Sequence, residues 1–125
     1  MSSLIKQVVK ANKSLEKEKL VIFTWGNASA RTSDNKMYIK PSGVPFKALK
    51  TKNISVVDLE NSEHVSGLKP SVDSPTHIEL YKNFNGINGI VHTHSKYCTI
   101  FAQARKAIPC VGTTHADYFY GDIPV

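Results

Sequence analysis

The chain has 125 residues, enough for one domain with a buried core, and its 41% hydrophobic and 21% charged residues suit an ordinary globular protein. The net charge of +6 admits an anionic ligand, but the lysines lie mainly in the first 20 residues and around Lys47–Lys52 without interleaved aromatics. Nucleic acid is therefore not an expected partner. No apolar run is long enough for a bilayer, the N-terminus lacks a signal-peptide core, and Cys98 and Cys110 form no CxxC pair, so the expectation is a cytoplasmic protein with buried free thiols and no membrane partner.

In chain order, Leu4, Ile5, Val8, Val9, Ala11, Asn12 and Leu15 recur at helical spacing and predict an amphipathic helix. Leu20–Trp25 is rich in β-formers and predicts a strand, broken at Gly26-Asn27, with Ala28–Arg31 continuing the extended path. Ser33-Asp34-Asn35 is a turn and Met37–Lys40 the return strand of an antiparallel hairpin. Pro41-Ser42-Gly43 alone favours a plain turn over an anion site. Phe46–Lys52 suggests a short helix, Ile54–Leu59 a strand, and His64-Val65 a short partner, with His64 exposed and inert.

Ser74 as N-cap and Pro75 behind it start a second helix on which His77, Leu80, Tyr81 and Phe84 share a face. A histidine in such a stripe is weighed as a core residue. Gly89–Ser95 then sets His92 and His94 at i and i+2 of a strand, so both project from one face, and neutral imidazole is the commonest ligand for zinc-like ions. Ser95 caps a helix whose core face is Tyr97, Ile100, Phe101 and Ala104, with Cys98 more simply buried than metal-bound. Ile108–Val111 has the character of an edge strand. Thr113–Gly121 crowds hydroxyls, His115, Asp117 and three aromatics together, and pattern alone leaves it even between an aromatic core with a turn and a functional loop. The sum is an α/β domain with a mixed, largely antiparallel sheet flanked by helices.

Five stretches taken together carry a resemblance. Thr24-Trp25-Gly26-Asn27, Lys40-Pro41-Ser42-Gly43, Pro70-Ser71 followed by Asp73, Pro75, Thr76 and His77, Gly89–Ser95, and Gly112–Gly121 resemble the L-ribulose-5-phosphate 4-epimerase branch of the class II aldolase/epimerase superfamily. The likeness covers nearly the whole chain. It implies a single class II aldolase-like domain over residues 1–125, C-terminally truncated relative to the family.

It also implies a zinc ion held by His92 and His94 with Asp73 beside it, and a phosphate pocket of Asn27, Ser42, Gly43 and Ser71 with Lys40 adjacent, which overrides the plain-turn reading. Asp117 matches a proton-transfer residue, and Asp73, where the aldolases typically carry Glu, favours the epimerase. The implied substrate is a phosphorylated pentulose, in pentose or ascorbate breakdown, and complete members are homotetramers. The implied reaction is retro-aldol cleavage and re-addition, with the metal as Lewis acid for the enediolate.

Two departures stand out. Val72 replaces a serine of the family motif, which removes one phosphate hydrogen bond worth about 1 kcal/mol. The family also continues past the point matching Val125, and that portion carries a third zinc histidine and a tyrosine; His64, His77 and His115 are the local substitutes and none is favoured by spacing. A fuculose- or rhamnulose-phosphate-type aldolase, and a non-catalytic zinc- or sugar-phosphate-binding remnant, stand as alternatives.

Overall fold

Helix and strand patterning resolves into a five-stranded antiparallel sheet between two helices in a computed structural model that describes residues 3–125. The chain divides into two compact units, one reaching to Thr93 and one running from His94 to Val125.

In the first unit, helix α1 (Ser3–Lys17) precedes strands β1 (Asn27–Arg31), β2 (Lys36–Ile39), β3 (Ser55–Asp58) and β4 (His64–Ser66), helix α2 (Ser74–Asn83), and strand β5 (Gly89–His92). Two single 3-10 turns, Phe46–Ala48 and Thr51–Asn53, occupy the predicted short helix. The sheet order is β4-β3-β2-β1-β5, so β5 crosses over to pair with β1 instead of β4.

Alternation along the strands sorts the side chains. Ala28 and Ala30 of β1 pack toward Val8 and Leu15 of α1. Asn27, Ser29 and Arg31 point the other way and share that face with Met37 and Ile39 of β2, which pack with Val57, Leu59 and the α2 residues Ile78 and Tyr81. The fully buried Asn12 of α1 fastens the start of β1: its carbonyl accepts the Ala28 N–H at 2.8 Å and its amide donates to the Ala28 oxygen at 2.9 Å.

The predicted strand at Leu20–Trp25 is not formed. Trp25 N–H closes a turn onto the Ile22 oxygen, Phe23 has φ 53°, and Phe23 is 79% exposed with its ring edge-on to Trp25. β-propensity describes fit to a pleated, half-buried surface, and here only Val21 finds one, against Leu15, Ala28 and Phe46. Helix α2 also starts differently, with Asp73 at the cap position and Ser74 already helical. Its buried face is Ser74, His77, Ile78 and Tyr81, while Phe84 is exposed beyond the helix end.

The second unit holds helix α3 (Lys96–Gln103), helix α4 (Thr113–Tyr118) and an antiparallel bridge between Ile108 and Ile123, the latter in place of the edge strand. None of its residues is buried. The predicted core face of α3 is therefore corrected: Tyr97 is 72% exposed, Ile100 is exposed too, and so is Cys98, expected as a buried thiol. The aromatic-core reading of Thr113–Gly121 fails likewise, because Tyr118, Phe119 and Tyr120 are exposed. A segment this short cannot enclose a core of its own, whatever its apolar periodicity. Among the described residues no helix is long and apolar enough to cross a membrane.

Candidate functional site

Register across β1 and β5 creates the site. Asn27 pairs with His92, so both side chains leave the sheet on the α2 face at the same level. The loop before α2 is led to the same place by an antiparallel bridge between Pro41 and Pro70 and by the Ser42 N–H bonding the Lys69 oxygen at 3.0 Å. Ser71 and Asp73 thereby meet Asn27 and His92.

One carboxylate oxygen collects them. Asp73 Oδ2 accepts from Asn27 Nδ2 at 2.6 Å and from Ser71 Oγ at 3.2 Å, and lies 3.2 Å from His92 Nδ1. The Asn27 amide also donates to Ser71 Oγ at 3.1 Å. Burial by itself would raise the Asp73 pKa, but the Asn27 amide, the charge of His92 and the Ser71 hydroxyl outweigh it and hold the carboxyl below its usual range. The result is an ionised carboxylate with fixed orientation. Beside it opens a cavity of about 300 Å³ whose wall includes Asp73, His77, Leu80, Ile90, Val91 and His92.

Lys40 occupies a different position from a solvent-facing phosphate ligand. It is 2% exposed, lies over the Phe46 ring, and donates from Nζ to the Thr24 oxygen at 3.0 Å and the Pro41 oxygen at 3.4 Å. Burial lowers its pKa, and the charge of Asp73 opposes that shift. Its ammonium thus ties the loop leading to Asn27 to the loop leading to Ser42. Ser42 and Gly43 form the exposed tip of that second loop, where Gly43 takes φ 68°, a left-handed conformation natural to glycine. His94 and Asp117 belong to the second unit; His94 is half-buried just before α3, and Asp117 is exposed on α4.

The strand–helix interface also contains a polar group that spacing alone did not single out. Ser29 Oγ lies 2.7 Å from His77 Nδ1 and 2.9 Å from the Tyr81 hydroxyl, all three buried. The sequence signals were an i, i+4 His/Tyr pair and a serine alternating with Asn27 on one strand face. His77 is a core residue, as expected.

As a metal site the described residues are incomplete. Asp73 and His92 converge, yet among the described residues no group of three His, Cys, Asp or Glu side chains is arranged to hold an ion. Catalytic zinc normally has three protein ligands. These residues by themselves do not make that centre.

Comparison with known proteins follows the same lines. A model of the class II aldolase and adducin N-terminal domain matches residues 6–125. The chain is 47% identical to an L-ribulose-5-phosphate 4-epimerase of Salmonella paratyphi C over 99% of its own length and 55% of that protein. It thus spans about half the length of the curated relatives it matches. Among solved structures, an L-fuculose 1-phosphate aldolase superposes with a TM-score of 0.81 at 31% identity, covering 88% of this chain and 52% of that one. The L-fuculose-1-phosphate aldolase of Thermus thermophilus gives a TM-score of 0.79 at 25% identity, over 97% and 61%.

Proposed function

The chain belongs to the class II aldolase and adducin N-terminal domain family, and from that premise we propose that it acts in the epimerisation of L-ribulose 5-phosphate and D-xylulose 5-phosphate. The observation that carries the proposal is the single Asp73 oxygen held by Asn27 and Ser71 and facing His92, on the rim of a cavity of sugar size.

The reaction class is retro-aldol cleavage and re-addition. The C3–C4 bond breaks to leave an enediolate and glycolaldehyde phosphate, the aldehyde presents its other face, and the bond re-forms with C4 inverted. Ser42, Gly43 and Ser71 hold the phosphate of the aldehyde fragment so that it turns without leaving, with Asn27 orienting Ser71. Asp117 exchanges a proton with the C4 oxygen. By the resemblance, Asp73, His92 and His94 would be the donors to zinc, and the ion would supply Lewis-acid stabilisation of the enediolate. Pentose or ascorbate breakdown in the cytoplasm, in a homotetramer, is the setting that fits.

The purified chain is to be assayed for conversion of L-ribulose 5-phosphate to D-xylulose 5-phosphate, alongside its metal content. Conversion with stoichiometric zinc supports the proposal, and metal-free, inactive protein sinks it for this chain. A second reading follows from the likeness to the fuculose-phosphate aldolases: release of aldehyde without epimerisation would assign the chain to that chemistry.

A further inference from the structure

The buried chain beneath α2 has a direction. Tyr81 is fully buried, and the Ser29 hydroxyl 2.9 Å away is the acceptor within its reach. Tyr81 therefore donates to Ser29, Ser29 donates across 2.7 Å to His77 Nδ1, and the neutral ring carries its own proton on Nε2. Burial pushes the His77 pKa down to about 4, which keeps the ring neutral near pH 7.

The far end of this chain is unfinished. Nε2 of His77 is buried and has no hydrogen-bond partner in the protein, whereas folded proteins pair nearly all buried donors. His77 is 1% exposed and is one of the residues that line the cavity shared with Asp73 and His92.

We propose that His77 is a ligand-positioning residue whose Nε2–H donates to a hydroxyl or carbonyl oxygen of a carbohydrate seated between Asp73, His92 and the apolar wall of Leu80, Ile90 and Val91. The proposal rests on the sugar-phosphate reading and deepens it by naming the donor for the sugar end. A neutral N–H suits an uncharged polyol oxygen, and the phosphate of the same molecule is already assigned to Ser42, Gly43 and Ser71. The aliphatic wall meets the C–H face of the sugar.

The test uses the full chain, nitrogen-15 labelled, with histidine ring correlations recorded before and after saturation with L-ribulose 5-phosphate. The ligand-free protein is expected to show His77 as the Nε2–H tautomer, and the sugar phosphate is expected to shift Nε2 and its proton. Calorimetric titration then compares two variants of confirmed fold. His77→Asn keeps a polar group near the Nδ1 position and weakens binding roughly fivefold to tenfold, the worth of one hydrogen bond, while His77→Gln restores an amide near Nε2 and stays within about threefold.

An Nδ1–H tautomer overturns the proposal on the wild-type protein alone, even if neither variant folds. Binding that leaves Nε2 unmoved means that water completes the donor, and overturns it while sparing the sugar-phosphate reading. Absence of any L-ribulose 5-phosphate binding overturns that reading and the proposal with it.

Discussion

Lys40 shows how a single side chain can look like a ligand in the sequence and act as a tie in the fold. Its place beside Ser42-Gly43 suggested phosphate, but its ammonium bonds two backbone oxygens from inside the protein. Lys40→Met keeps most of the aliphatic volume and leaves the Thr24 and Pro41 oxygens without their donor. Relief of a buried charge offsets part of this loss, so a destabilisation of about 1 to 3 kcal/mol is expected, read as a lower urea midpoint at unchanged slope. His77 makes a second prediction at this scale. Its folded-state pKa of about 4 lies below the ordinary value of 6.5, so between these limits the unfolded chain binds more protons than the native one. Its stabilising effect is fully present above pH 6.5 and is lost as the pH falls through 6.5 toward 4, by on the order of 2 to 3 kcal/mol. Urea titrations at pH 7 and pH 4.5 measure the loss, and His77→Gln flattens that part of the profile.

At the level of elements, legibility followed locality. The first helix was readable because its apolar period and its buried residues Val8, Asn12 and Leu15 depend on near neighbours. The hairpin of β1 and β2 was readable for the same reason. The convergence of Asn27 with Ser71, Asp73 and His92 was not, since it needs β5 to cross beside β1 and a loop more than forty residues away to be tied down by the Pro41–Pro70 bridge. Motif resemblance named those residues without saying that the amide and hydroxyl are turned onto the carboxylate. Gly26 is where this pairing is most vulnerable. It has φ +81°, and a Cβ built there would lie 2.5 Å from Val21 Cγ1 and 2.8 Å from the His92 oxygen. Gly26→Ala must therefore adopt a disfavoured backbone and push β5 away from Asn27, at a cost of about 2 kcal/mol or more. The expected signature is a lower urea midpoint together with shifted amide resonances at both Asn27 and His92; a midpoint shift with those amides unmoved would refute the coupling.

Across the whole chain the contrast lies between two units of unequal internal support. Up to Thr93, three buried clusters cover both faces of a sheet, and Met37, Ile39, Phe46, Leu49 and Tyr81 are sealed from solvent. From His94 onward no residue is buried, although α3 carries an apolar stripe that, in sequence, resembles a core face. Periodicity reports that a helix has an apolar side; it does not say what covers that side. Local stability follows buried apolar contact, so the two units should open at different free energies. Native-state hydrogen exchange is expected to show the amides of β1, β2 and β3 exchanging at the slow, global-unfolding limit. Those of α3 and α4 should exchange faster by at least about 100-fold, a gap of roughly 3 kcal/mol in opening free energy. Limited proteolysis should correspondingly cut first within residues 94–125. Equal protection in α3 and β2 would mean that the exposed stripe of Tyr97 and Ile100 is covered in solution, and titrating the protein concentration would then show whether a second copy covers it.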